Sequence, residues 1–497
     1  MAQRTQTPVP ISTQLWRRKP IKRAGTPDDH HGPELKRTIG TFQLTMFGVG
    51  ATVGTGIFFV LQESVPDAGP AVILSFIIAG LAAGFAALCY AEMASAIPVS
   101  GSTYSYAYHA LGELVAMVVA ACVLLEYGVS TAAVAVGWSG YFNKLLESLF
   151  GFQIPEWLSY APIPHEGNSQ GVINLPAVVL VFLCAMLLIR GASESAKVNA
   201  VMVVTKIAVL LMFVVIGMMH FQGGHFQNFM GAGFAGIGAA AGTIFFSFIG
   251  LDAVATAGEE VKDPQKTMPK AILFALGIVI TIYILVAVAG IGAQEPARFA
   301  DEDQQSAGLS VILQNLTGSN VPGTILAAGA VVSIFSVTLV TLYGQTRILF
   351  AMGRDGMLPK KFAQVNPRTL TPTYNTVVVA IVVSLIAGFV PAGYLWDMVS
   401  IGTLGAFTVV ALGVMILRRT EPDLPRAYKV PLYPVTPVLA IVSCGWVAYN
   451  LPPITWLFFA LWLAVVMAYY FLWARHRSAL NNPDAPLPEI PETMRGH

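Results

Sequence analysis

The sequence predicts an all-α integral membrane protein of twelve transmembrane helices. The first ten form a five-plus-five inverted repeat with broken helices 1 and 6, and two extra helices follow at the C-terminal end. Three observations carry this. Of 497 residues, 55% are hydrophobic and 11% charged, less than half the charge of an average soluble domain, about 25%. Apolar runs near the ~20 residues that span a bilayer fall at 40–62, 70–94, 112–141, 174–190, 196–219, 234–258, 269–293, 321–351, 374–391, 394–417, 435–451 and 454–474. Finally, the first and sixth runs are interrupted at matching glycine-centred stretches.

The first interruption reads Phe47-Gly48-Val49-Gly50-Ala51-Thr52-Val53-Gly54-Thr55-Gly56-Ile57-Phe58, the second Phe245-Phe246-Ser247-Phe248-Ile249-Gly250-Leu251-Asp252. Lipid offers no hydrogen bonds, so irregular main chain at membrane depth survives only where protein or a wet cavity satisfies it. Corresponding breaks in two halves point to the substrate site of a secondary transporter. Half-helix N-termini present free N–H groups to a carboxylate, and unwound carbonyls suit an ammonium. Main chain alone therefore matches both ends of a zwitterionic amino acid. A nucleotide fingerprint at Gly48-Val49-Gly50 is excluded, because Val53 stands where the third glycine is needed and no strand precedes it.

Taken in order, the chain opens with a Pro-rich polar tail, 1–38, expected to be cytoplasmic and disordered. No cleavable signal is expected, since the first apolar run is too long for one. Runs one to five form the first repeat, 39–220, and six to ten the second, 234–418; an odd helix number per repeat inverts the second relative to the first. The last two runs, 435–474, lie outside the repeat and are expected to serve packing or subunit contact in a monomer or homodimer. A cytoplasmic tail, 475–497, ends the chain. Two inner-loop stretches, Gly258-Glu259-Glu260-Val261-Lys262-Asp263-Pro264-Gln265-Lys266-Thr267-Met268-Pro269 and Gly353-Arg354-Asp355-Gly356-Met357-Leu358-Pro359-Lys360-Lys361, fit short amphipathic helices or solvated turns equally.

With both termini inside, all of the 28 Lys and Arg except Lys144, Arg298 and Lys206 are cytoplasmic, the bias expected of a multi-pass protein of the plasma membrane. Trp16-Arg17-Arg18-Lys19 belongs to that flank. A net charge of +1 gives no basis for a nucleic-acid partner. Cys89, Cys122, Cys184 and Cys444 sit in apolar runs without metal or framework spacing, no cofactor motif is evident, and no His, Cys or Asp cluster supports enzyme chemistry.

Four ionisable residues within the apolar runs carry the argument. Lys206 is nine residues beyond Lys197, roughly 14 Å into a core about 30 Å thick, where snorkelling is strained. It is expected to carry a proton through the cycle, its ammonium bonded to carbonyls of residues 48–51 and to hydroxyls such as Ser333 or Ser336. Asp252, directly after the second break, is expected to face the cavity or inner pathway, or else to cap the second half-helix. Glu126 lies mid-run in Leu124-Leu125-Glu126-Tyr127 and would pair with a cationic substrate or with protein donors. Glu92, near the inner end of the second run, is read as structural.

These stretches, together with Tyr90-Ala91-Glu92-Met93, Ile97-Pro98-Val99-Ser100-Gly101-Ser102, Tyr343-Gly344-Gln345-Thr346-Arg347 and Arg418-Arg419-Thr420-Glu421-Pro422-Asp423-Leu424-Pro425, make the chain resemble the amino acid-polyamine-organocation (APC) superfamily. The likeness covers nearly all of residues 35–475 and is greatest to bacterial members of the cationic amino acid transporter branch. It implies a leucine-transporter-type fold with alternating access. It further implies that main chain at Gly54, Thr55 and Gly56 holds the substrate carboxylate, and that carbonyls of Thr52, Phe246 and Ile249 receive the amine, with Ser247 close by. Phe246 matches an aromatic gate, Lys206 a helix-five lysine that replaces a sodium site, and Asp252 an acidic residue used in coupling.

The expected function is import of L-amino acids by proton symport with alternating access. An amino acid exchanger would instead show fast uptake only into loaded vesicles. A polyamine carrier would need more acidic groups along the cavity than Glu126 and Asp252. A non-transporting sensor would need a soluble output domain.

Overall fold

The computed structural model describes residues 14–20, 39–97, 102–163, 171–189, 196–256, 261–366 and 371–481, with main chain only at Thr55, Thr256, 196–200 and 302–307. Among these residues every regular element is helical, apart from one bridge between Ile39 and Val261. Apolar side chains at almost every position leave the main chain to satisfy itself, and the helix does so locally.

The first half comprises α1 (Thr41–Thr52), α2 (Thr55–Ala68), α3 (Val72–Ala96), α4 (Ser102–Ala110), α5 (Glu113–Leu124), α6 (Ser130–Phe150), α7 (Leu175–Ile189) and α8 (Ala196–Met219). The second comprises α9 (Gly233–Phe245), α10 (Ala253–Thr256), α11 (Pro264–Ala293), α12 (Glu302–Thr317), α13 (Asn320–Arg354), α14 (Thr373–Phe389) and α15 (Ala392–Thr420), followed by α16 (Val435–Tyr449) and α17 (Pro453–Tyr469). A π-helical turn, Leu125–Val129, joins α5 to α6 without a gap.

Helix lies in each of the twelve apolar runs. Among the described residues, eight stretches are long and apolar enough to cross a membrane, and α7, α14 and α16 are shorter apolar helices. The figure differs from twelve for physical reasons. With 12 residues, α1 rises about 18 Å, half a bilayer. The 3-10 turn Gly69–Ala71 runs α2 straight into α3, so both count as one stretch, Gly56–Ala96.

The two loop stretches named above resolve the alternatives left open there. Residues 355–359 are turns leading to a 3-10 turn, Lys360–Ala363, and not an amphipathic helix. Pro264 opens the long α11 at a position where a missing N–H costs nothing; Gly258, Glu259 and Glu260 lie outside the described residues. The expectation of a disordered tail over 1–38 needs correction at residues 14–20, which are ordered by ion pairs to Glu113 and Asp355.

The halves interleave. α3 packs on α11, α1 on α11, α2 on α9, and α6 on α13, so the interrupted helices are held in the centre. Glu92, 2% exposed, accepts from Arg418 Nε at 2.8 Å and from the Val430 N–H at 2.7 Å. That carboxylate ties the C-terminal end of α3 to α15, the structural role read from sequence. All four cysteines are buried and none forms a disulfide.

Candidate functional site

The two breaks touch each other. A Cβ on Gly56 would lie 2.6 Å from Ser247 Cα, and one on Gly250 would lie 2.7 Å from the Ala51 carbonyl oxygen. Gly250 also has φ of 104°, a conformation that side chains disfavour. The sequence thus places glycine where two unwound main chains must cross at backbone contact distance. Around Gly250 the chain passes from the 3-10 turn Phe246–Phe248 through extended Ile249 (φ −69°, ψ 145°) to α10.

At the first break, Gly54 is the N-cap of α2 and no side chain caps it. The leading N–H groups of a helix have no partners within it, so those at Thr55 and Gly56 are left at the positive end of the helix dipole. The side chain of Thr55 is outside the described residues. Val337 of α13 closes over Gly54, its Cγ2 2.9 Å from where a Cβ would stand.

The carbonyls are partly engaged. Tyr283 Oη of α11 lies 3.1 Å from the Thr52 carbonyl and 2.8 Å from that of Ser247, bridging the breaks with one hydroxyl. A carbonyl has two lone pairs, so this bond engages one of the two on Thr52. The Phe246 carbonyl accepts from the Ile249 N–H at 3.2 Å. Ser247 Oγ is buried with no hydrogen-bond partner, a polar atom facing the first break that a ligand or water would satisfy. Tyr283→Phe is expected to remove the single hydroxyl proton that the two buried carbonyls share and cost about 1–3 kcal/mol; a thermal-unfolding shift together with a raised substrate KM checks it.

Lys206, fully buried, donates from Nζ to the Gly50 carbonyl at 2.7 Å. Gly50 is in the last turn of α1, where carbonyls lose their i+4 donors because the helix stops. A cation there answers both the free carbonyl and the negative dipole end. Ser333 Oγ donates to the Val53 carbonyl at 3.4 Å, beside this site. The expected contact to Ser336 is not formed; its buried hydroxyl has no hydrogen-bond partner.

Phe246 packs against Trp396 of α15 at 5.9 Å between ring centroids, and Trp396 also meets Phe59 of α2 at 6.0 Å. These rings close one side of the crossing. On the other side of the second break, Asp252 Oδ2 accepts from Tyr127 Oη at 2.6 Å and from Ser102 Oγ at 3.1 Å, while Oδ1 has no hydrogen-bond partner. Glu126 lies in the π-helical turn with both oxygens buried and without a hydrogen bond of normal geometry, next to Thr403 and within electrostatic reach of Asp252.

Sequence reasoning missed Tyr283, Trp396, Tyr127 and Ser102. Tyr283 carried a usable signal, because a tyrosine inside an apolar helix must find a partner for its hydroxyl. Which partner depended on the helix packing.

The family described as "Amino acid permease" matches residues 39–478. The chain is 41% identical over 471 residues to the "Methylthioribose transporter" of Bacillus subtilis (strain 168), covering 94% of this chain and 100% of that one. It is 42% identical over 447 residues to the "Branched-chain amino acid permease BcaP" of the same organism, covering 90% and 95%. To "Cationic amino acid transporter 4" of Homo sapiens it is 33% identical over 427 residues, covering 84% and 64%.

Proposed function

The chain belongs to the amino acid permease family, a multi-pass membrane transporter and not an enzyme, and from that premise we propose that it imports L-amino acids by proton symport. In this reading twelve helices span the plasma membrane with both termini inside, in a five-plus-five inverted arrangement. One observation carries it: the two breaks cross at backbone contact, with an N–H cradle at Gly54, Thr55 and Gly56 on one side and Lys206 on the Gly50 carbonyl behind it.

The substrate carboxylate lies on the α2 N-terminus, and the amine takes the remaining lone pair of Thr52 with the carbonyls of Phe246 and Ile249. Phe246, Trp396 and Val337 make the walls near the crossing apolar, which favours small or branched neutral side chains. Glu126, buried without a charge partner, is where a cationic side chain would find its carboxylate. Protonated Lys206 holds the end of α1; loss of the proton toward the inside removes the cation and frees that half-helix to move. Asp252, on the other break, changes its bonds to Tyr127 and Ser102 in the same movement.

The test is uptake of labelled alanine, leucine, arginine and methylthioribose into proteoliposomes, with and without an acid-outside pH gradient. Concentrative uptake of neutral amino acids only with the gradient is expected. Uptake indifferent to the gradient but dependent on internal amino acid would replace symport by exchange. Transport of methylthioribose alone would overturn the amino acid reading.

A further inference from the structure

Residues 14–20 precede the first apolar run, yet they are built into the protein. Arg17 and Lys19 point inward while Trp16, Arg18 and Pro20 are exposed. Arg17 Nη2 lies 3.1 Å from Glu113 Oε2, and that carboxylate has no exposure. Glu113 also accepts from Ser478 Oγ at 2.6 Å and from Tyr470 Oη at 3.1 Å, so both ends of the chain converge on it. Arg17 Nη1 donates to Asn481 Oδ1 at 2.7 Å. Lys19 Nζ lies 2.8 Å from Asp355 Oδ1 at the end of α13. Main chain joins in: the Glu113 N–H donates to the Arg17 carbonyl at 3.0 Å, and the Lys19 N–H to the Tyr108 carbonyl at 3.1 Å.

α4 touches both this docked segment and the second break, and its polar side chains reach each of them. At its start, Ser102 holds Asp252 at 3.1 Å, and the Thr103 hydroxyl is bonded to that of Tyr90. Further along, Tyr104 Oη donates to Asp355 Oδ2 at 3.1 Å and Tyr108 Oη to Glu113 Oε2 at 3.3 Å. Arg17 is the cation on buried Glu113, and removing one partner of a buried ion pair leaves the other charge uncompensated. Losing Arg17 loosens Tyr108, and with it the helix that positions Ser102.

We propose that residues 14–20 are a latch: docked, they fix α4 and hold Ser102 on Asp252; released, they free the second break to open on the side of the protein where the termini lie. Such coupling needs a contiguous element with two arrangements that both sites bias, and α4 is that element. The latch acts whatever the carried molecule is.

The experiment is hydrogen–deuterium exchange on the substrate-free, full-length protein in lipid nanodiscs, compared with Arg17→Ala/Lys19→Ala and with deletions of residues 2–13 and 2–20. The double variant and the longer deletion are expected to exchange at least about threefold faster both at 102–112 and at 250–256, and to speed counterflow. The shorter deletion should match the parent. Adding a peptide of residues 12–22 to the longer deletion should restore protection at 250–256, which a passive anchor would not do at a distance. If the double variant does not fold, Lys19→Ala, at a side chain 43% exposed, is expected to shift 250–256 in the same direction by less. Unchanged protection at 250–256 in every variant, or faster exchange confined to 102–112, overturns the proposal.

Discussion

Lys206→Ala is expected to abolish gradient-driven accumulation and to lower the initial uptake rate by about 10- to 100-fold, the factor that corresponds to losing a charged hydrogen bond. The expectation follows from position. An ammonium in mid-membrane costs roughly 2.5 to 3.5 kcal/mol even on lenient scales, and here it is fully buried with the Gly50 carbonyl at 2.7 Å. It closes the end of α1 beside the crossing of the breaks, so its charge state and the position of the half-helix are linked. Alanine removes the cation and leaves the last turn of α1 uncapped. Lys206→Gln separates the two effects, because it retains a donor near Gly50 but cannot titrate. The glutamine variant should fold and catalyse counterflow while failing to concentrate substrate against a pH gradient. Full proton-coupled uptake by either variant would exclude Lys206 as the coupling group.

Gly250→Ala is expected to be strongly damaging at the crossing of the two breaks. Its φ of 104° and the 2.7 Å approach of the Ala51 carbonyl oxygen to the added Cβ act together, and the obstructing atom is main chain that no rotamer change can move. The combined cost is roughly 2–4 kcal/mol. Transport should fall below detection, and the thermal midpoint should drop measurably in detergent. Gly445→Ala is the control, since nothing lies within 4 Å of its added Cβ. Equal stability of the two variants would mean that the breaks separate in the working protein and that the crossing is not the core of the site.

The candidate site was legible to the extent that it is made of main chain. Gly54, Thr55, Gly56, Ile249 and Gly250 announce themselves because glycine-rich polar stretches have no other reason to interrupt an apolar helix. Lys206 stood out by its cost in lipid, and its bond to Gly50 falls within the range of carbonyls expected from sequence. Ser336 was a poorer guess, because a hydroxyl on a helix facing the right way does not define which of several neighbours it meets. Trp396 was invisible as a site residue and Tyr283 signalled only that its hydroxyl needed a partner, since only the crossing of α11 and α15 with the breaks gives these two a role. The tail shows the opposite failure. Pro-rich, basic residues read as a solvated flank, yet Arg17 is drawn in by Glu113 from the start of α5, a pairing 96 residues apart.

The sequence by itself determined the helical membrane character, the two breaks and the buried cation, because each rests on a local cost: main-chain polarity, glycine freedom or charge in lipid. Tertiary structure alone decided that the breaks cross at Gly56 and Gly250, that one tyrosine hydroxyl spans their carbonyls, and that the tail docks on Glu113. Those depend on which faces of distant helices meet, and a single apolar helix, hydrophobic all round, carries too little asymmetry to say.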